Sequence, residues 1–107
     1  MSVFQVSRLR INPGRQEDFM AHQDAIKEIN QRYGLKRRQI LRTSIGGDDT
    51  GEVLIVSEFE DFTAWASWNQ ERSKDPEYKK WRQTTPAANP DSPAKLLSTV
   101  LMTDITR

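Results

Sequence analysis

The chain contains no cysteine and only one histidine, His22, in 107 residues. The absence of cysteine excludes disulfide bonds, thiol catalysis and cysteine-ligated metal sites. A single histidine without clustered carboxylates is a poor metal site as well. We therefore expect no bound metal.

The sequence also lacks a long apolar run and an excess of charge of one sign. Hydrophobic residues make up 36% of the chain, charged residues 29%, and the formal net charge is +1. Without a spanning segment or a signal peptide, a soluble cytoplasmic protein with no membrane partner is expected. A nearly neutral chain has no global field for nucleic acid. The basic run at residues 36–38 is therefore interpreted as a solvated helix end, and no nucleic-acid partner is expected.

Two strand-forming segments flank a turn-rich loop in the middle of the chain. Residues 40–45 and 52–61 are rich in β-branched and apolar side chains, and residues 46–51 are nearly all turn formers. This pattern predicts a hairpin with a long loop. Residues 53–56 form the most apolar run, which predicts a central strand.

The amino-terminal part predicts a strand followed by a helix. The strand covers Val3–Ile11, and Asn12 and Pro13 fit the cap and first position of the helix. Gly34 fits the end of that helix. Its apolar stripe, at spacings of three and four, comprises Phe19, His22, Ile26, Ile29 and Tyr33.

The carboxyl-terminal part predicts a second helix, a short helix, a loop and a last strand. The second helix covers residues 62–72 with Asp61 as its cap, and Trp68 lies off the predicted inner face. That inner face comprises Phe62, Trp65, Ala66 and Asn69. Residues 77–83 form the short helix, residues 84–93 the loop and residues 96–105 the strand.

The order βαββαβ predicts an α+β, ferredoxin-like fold with a four-stranded antiparallel sheet. Right-handed crossovers place the helices on one side of the sheet. The bare face then carries Arg8 and Glu58, which we expect to pair across adjacent strands, and the apolar residues Phe4, Val6, Leu54 and Val56. Such a face is too apolar for water, so a homodimer through the sheet face is expected.

Several short motifs resemble one family pattern. They are Pro13-Gly14, Arg32-Tyr33-Gly34, Gly46-Gly47, Phe59-Glu60-Asp61 before Ala64-Trp65-Ala66, and Asp75-Pro76-Glu77-Tyr78 with Trp81. In order and spacing they resemble the NIPSNAP-like branch of the dimeric α/β-barrel superfamily. The resemblance implies that residues 1–107 form one such domain, paired sheet to sheet with a second copy.

The resemblance does not fix an activity, because the superfamily includes cofactor-free monooxygenases, haem-degrading enzymes, cyclases, isomerases and proteins without a known reaction. The second helix here lacks the histidine that haem degraders use as an iron ligand. Ser7 and Phe59 fall near the positions where haem degraders carry asparagine and tryptophan. Haem degradation is therefore not expected.

The candidate site is a cleft between the sheet and the helices. Gln5, Ser7 and Ser57 share strand parity with the helix-facing apolar residues, so they either leave room for a ligand or form local hydrogen bonds. His22 is either a general base or a satisfied histidine in the helix–sheet seam. The aromatic residues Phe59, Trp65 and Trp81 are either substrate contacts or core filling.

Two functions follow from these alternatives. The first is binding of a small hydrophobic or aromatic molecule in the cleft, with oxygen-dependent oxidation without a cofactor as the reaction class that the resemblance implies. His22 is then the base, and the cleft residues orient the substrate. The second is a non-catalytic homodimeric module that acts through its surface.

Overall fold

The computed structural model describes residues 1–47, 51–85 and 89–106. Its four strands form one antiparallel sheet in the order β2-β3-β1-β4. This arrangement confirms the predicted α+β, ferredoxin-like fold. The elements are β1 (Val3–Ile11), α1 (Gln16–Ala25), α2 (Lys27–Arg32), β2 (Arg37–Arg42), β3 (Glu52–Phe59), α3 (Phe62–Arg72), α4 (Pro76–Arg82) and β4 (Ala94–Thr103).

The register of the central strands places Leu9 and Val53 on the helix side of the sheet. Leu9 lies opposite Val53, and both are buried against Phe19 of α1. A second buried cluster, formed by Ile26, Ile29 and Tyr78, joins α2 to α4. The core therefore consists of one sheet–helix cluster and one helix–helix cluster.

The first helix begins later than predicted and is interrupted. Arg15 donates its backbone N–H to the Asn12 carbonyl at 3.0 Å, and Gly14 has φ 75°, as in a type II turn with Pro13 before the glycine. Asn12 therefore does not cap the helix; its side chain donates to the Ser92 carbonyl at 2.9 Å. The break at Ile26 divides the predicted helix into α1 and α2.

The ends of α3 agree with the prediction, but its buried face does not. The Asp61 carboxylate accepts a hydrogen bond from the Ala64 N–H at 2.8 Å, which confirms the cap. Trp68, only 2% exposed, is the buried residue, whereas Phe62 is 47% exposed and Asn69 lies at the surface. The inward stripe runs instead through Trp65, Trp68 and the partly buried Arg72, at helical spacings of three and four.

The outer strands differ from the prediction at their ends. β2 begins at Arg37, so Arg37 and Arg38 belong to a strand and not to a helix end. β4 begins at Ala94, and a register shift places Leu96 opposite Leu9 while Ser98 stays opposite Arg8. The bulge therefore gives the helix-facing position to Leu96 in place of Leu97. Parts of both predicted loops, residues 48–50 and 86–88, lie outside the described residues.

The sheet face away from the helices is apolar, as predicted, with charged residues at its ends. Val56 lies opposite Val6, and Val100 and Met102 of β4 are 42% and 53% exposed. The predicted pair between Arg8 and Glu58 is wrong. Arg8 binds the buried Glu52 at 3.0 Å, because Arg8 and Arg10 converge on that carboxylate from the neighbouring strand. Glu58 instead accepts from the Ser2 hydroxyl at 3.0 Å.

Candidate functional site

A cavity of about 200 Å³ separates the sheet from the helices. It lies where the two core clusters meet, since Leu9 and Ile55 come from one and Ile26, Tyr78 and Trp81 from the other. Its polar lining includes four residues that the sequence predicted, Gln5, Ser7, Ser57 and His22. It also includes Thr99, which lies beside Ser7. The space is therefore bordered by apolar, aromatic and hydrogen-bonding groups, as small-molecule sites are.

His22 is held in one orientation by α4 and the residues that follow it. Its ring stacks on Trp81, with ring centroids 4.5 Å apart and an interplanar angle of 9°. The Trp81 indole N–H donates to the His22 backbone carbonyl at 2.8 Å. His22 Nε2 lies 2.5 Å from the Thr84 hydroxyl, which donates to the Trp81 carbonyl at 2.6 Å.

This chain of hydrogen bonds assigns the neutral tautomer of His22. Because the Thr84 hydroxyl gives its proton to a carbonyl, its oxygen accepts from Nε2–H, and Nδ1 is left with the lone pair. Burial lowers the pKa of His22, the backbone of Trp81 partly offsets this, and the nearby charge of Arg38 lowers it further. The imidazole is therefore neutral at pH 7 and has a nitrogen able to accept a proton.

The pKa of His22 can be measured directly, because it is the only histidine. We expect its imidazole proton resonances to titrate with a midpoint below 6.5. Since the unfolded chain then binds more protons, the stability contributed by a neutral His22 is full above pH 6.5 and falls as the pH drops from 6.5 through the folded-state pKa. Urea unfolding at several pH values should show this slope in the wild type and not in His22→Asn. A midpoint at or above 6.5 would contradict the assignment.

The polar floor of the cavity is formed by β1 and β3. The Gln5 side-chain oxygen accepts from the Trp65 indole N–H at 3.0 Å, which turns its amide nitrogen away from Trp65. Ser7 lies 3.1 Å from the Thr99 hydroxyl across the strand pair. Ser57 is buried and belongs to the lining. These groups can orient a polar substituent of a ligand.

The aromatic residues divide into a lining group and a supporting group. Trp81, Trp68 and Tyr78 line the cavity. Phe59 and Trp65 do not line it. Phe59 is completely buried against Trp68, with ring centroids 4.8 Å apart. Trp65 contacts the lining through its hydrogen bond to Gln5. Of the predicted site, the structure brings Gln5, Ser7, Ser57, His22 and Trp81 to one cavity.

Sequence reasoning missed two arginines in the lining, Arg38 of β2 and Arg72 of α3. Arg38 donates to the side-chain oxygen of the buried Gln23. Burial lowers the pKa of both guanidinium groups, that of Arg72 to about 10, so both remain cationic at neutral pH. Within residues 1–47, 51–85 and 89–106, no group of metal-binding side chains is clustered closely enough to hold an ion.

The architecture is that of a ferredoxin-like α+β domain with one four-stranded antiparallel sheet. No family model and no curated protein sequence matches the chain. Among solved structures, a NIPSNAP-domain protein from Burkholderia xenovorans is 19% identical, with a TM-score of 0.69 over 95% of this chain and 93% of that one. SnoaB, a cofactor-independent oxygenase from Streptomyces nogalater, is 15% identical, with a TM-score of 0.68 over 99% and 95%.

A third similar structure, Rv0793 from Mycobacterium tuberculosis, is 15% identical, with a TM-score of 0.65 over 100% of this chain and 98% of that one. At these identities the comparisons establish a common fold. The NIPSNAP-like resemblance of the sequence motifs is thereby confirmed at the level of architecture. No helix in the described ranges has the length and apolar character needed to cross a membrane.

Proposed function

We propose that the cavity binds a small hydrophobic or aromatic molecule and that the protein oxidises this molecule with O2, without a cofactor. The observation that carries the proposal is the His22 imidazole, held by Trp81 and Thr84 at the edge of a cavity with a polar floor. The similar fold of SnoaB, a cofactor-independent oxygenase, supports the reaction class.

In the proposed reaction His22 Nδ1 removes a proton from an activated CH2 group, one flanked by a ring and a carbonyl. The resulting carbanion gives one electron to O2, and the two radicals join in a C–O bond. The peroxide takes back the proton from His22, and loss of water leaves a new carbonyl group. The balance is RCH2R′ + O2 → RC(O)R′ + H2O, in which the substrate carbon is oxidised and O2 is reduced.

Oxygen uptake with a panel of small aryl ketones, 2-indanone among them, tests this proposal. We expect His22→Asn to lower the rate about 10²- to 10⁴-fold, the usual contribution of a general base. Glu17→Gln, an exposed change on the same helix, is the matched control and should leave the rate unchanged. Equal rates in the wild type and His22→Asn would remove His22 from the mechanism. Absence of turnover with every ketone would favour the second candidate below.

The second candidate function is a non-catalytic homodimeric module. The exposed apolar sheet face favours it, since Leu41, Val100 and Met102 are all more than 40% exposed on one chain. We propose that this face packs on the same face of a second copy, in an isologous interface. A dimer is compatible with either function, so turnover distinguishes the two.

A further inference from the structure

The cavity lining contains two cations and no carboxylate. Arg38 enters from β2 and Arg72 from the last turn of α3, and no described Asp or Glu lines the space. Within the described ranges neither guanidinium has an acidic side chain at ion-pairing distance. Burial lowers the pKa of Arg72, and the nearby positive charges of Arg82 and Arg38 lower it further. Asp24, which is not part of the lining, acts on Arg38 through its charge. The lining itself is therefore cationic, and among the described residues no carboxylate forms an ion pair with either arginine.

The guanidinium of Arg72 is fixed so that its edge is available. Its carbon lies 3.5 Å from the Trp68 ring centroid and 4.5 Å from that of Tyr78. Aromatic contacts occupy the faces of the planar group and restrict its rotation. Hydrogen bonds remain possible only in the plane, through the N–H groups. Buried Nε has no hydrogen-bond partner anywhere in the described ranges.

The two buried carboxylates of the described residues, Glu52 and Asp75, are paired with arginines. Glu52 is bound by both Arg8 and Arg10, at 3.0 and 2.8 Å, and Asp75 by Arg32 at 2.7 Å. Two neighbouring, partly buried cations repel each other, and an unpaired buried N–H is unfavourable. An anion between Arg38 and Arg72 would relieve both conditions. A carboxylate matches the in-plane N–H groups of an arginine in a bidentate arrangement.

We propose that the cavity takes a small aromatic carboxylate, with its carboxylate on Arg38 and Arg72 and its ring between Trp81 and Ile26. This inference rests on the proposed function, because it names the charge of the molecule bound there. The volume agrees: a cavity of about 150 Å³ holds benzene, so about 200 Å³ holds one ring with small substituents. The serines and Gln5 then contact the substituents.

Titration of the ¹⁵N-labelled protein with benzoate and with benzamide, its uncharged analogue, tests the proposal. The indole N–H signals of the three tryptophans and the Nε–H signal of Arg72 report on the lining. Benzoate should shift the Trp68 and Trp81 signals and slow exchange of the Arg72 Nε–H. Benzamide should bind at least tenfold more weakly, since hydrogen bonds to charged groups are the stronger ones.

Three variants separate the charge at the site from charge elsewhere. Arg38→Gln and Arg72→Gln should each weaken benzoate binding about 10- to 100-fold and affect benzamide little. Lys80→Gln, at an exposed position of α4, removes one positive charge outside the lining and should leave binding unchanged. If Arg72→Gln does not fold, Arg38→Gln and the comparison of the two ligands in the wild type still decide.

Each alternative outcome is distinct. Equal binding of benzoate and benzamide, unaffected by Arg38→Gln, would contradict the proposal that the ligand is an anion. It would leave the proposed function of the cavity in place. If the ligand became negatively charged only during the reaction, benzoate and benzamide would also bind equally, and the proposal of an anionic ligand would be wrong. Failure of both ligands to shift any tryptophan signal would overturn both proposals.

Discussion

Replacement of Trp68 by alanine is expected to lower the free energy of unfolding by about 3–5 kcal/mol, the usual cost of removing a large buried aromatic side chain. Trp68 packs on Phe59 and beneath the guanidinium of Arg72, and its indole N–H donates to the buried Asn30 side chain at 3.3 Å. The substitution leaves a void and removes all three contacts. Urea unfolding at one fixed protomer concentration measures the effect, because association also contributes to stability.

Phe62→Ala is the matched control on the same helix. Because Phe62 is 47% exposed, its loss should change stability by no more than about 1 kcal/mol. Trp68→Phe should recover much of the loss, since it restores packing on Phe59 but not the hydrogen bond to Asn30. If Phe62→Ala were as destabilising as Trp68→Ala, the inward face of α3 would be the one that the sequence pattern predicted.

The example of α3 shows how far pattern reasoning reaches. Its two ends could be predicted because Asp61 is a strong cap, a local signal. Its buried face could not, because apolar residues lie on two overlapping stripes and the correct stripe contains an arginine. Arg72 looks like a surface residue in sequence, yet its guanidinium is stacked on two aromatic rings. Stacking of this kind depends on tertiary packing and leaves no periodic signal.

The same limit applies to the candidate site. Alternation along β1 and β3 placed Gln5, Ser7 and Ser57 on the helix side, and helical spacing placed His22 above them. Phe59 has the correct parity, but its position at the end of β3 puts it beneath Trp68 and outside the cavity. Arg38 was missed because a run of basic residues is usually solvated, whereas here it begins a strand.

Strand pairing explains why the Arg8 prediction failed although the parity was correct. Arg8, Glu52 and Glu58 all lie on the outer face, so parity alone allows either pair. Leu54 lies opposite Arg8; along β3, Glu52 is two residues from Leu54, and Glu58 is four residues from it in the other direction. Distance along the strand therefore selects Glu52, which is buried beneath both arginines. The register was not available from the sequence.

Val56→Asp is expected to convert the proposed dimer into monomers. Val56 lies on a central strand opposite Val6, in the middle of the apolar sheet face. An isologous interface would contain the new carboxylate twice, and each would be buried without a partner at a cost of several kcal/mol. The dissociation constant should therefore rise on the order of a thousandfold or more, as measured by sedimentation over a range of protein concentrations.

Val56→Thr tests whether charge, and not shape, separates the protomers. Threonine has nearly the volume of valine and adds one hydroxyl, so it should weaken association far less than aspartate. Circular dichroism of Val56→Asp should stay that of the wild type, because the side chain points away from the helix-facing core. A dimer that survives Val56→Asp would place the interface on another surface, since no apolar sheet-to-sheet contact accommodates two unpaired carboxylates at its centre.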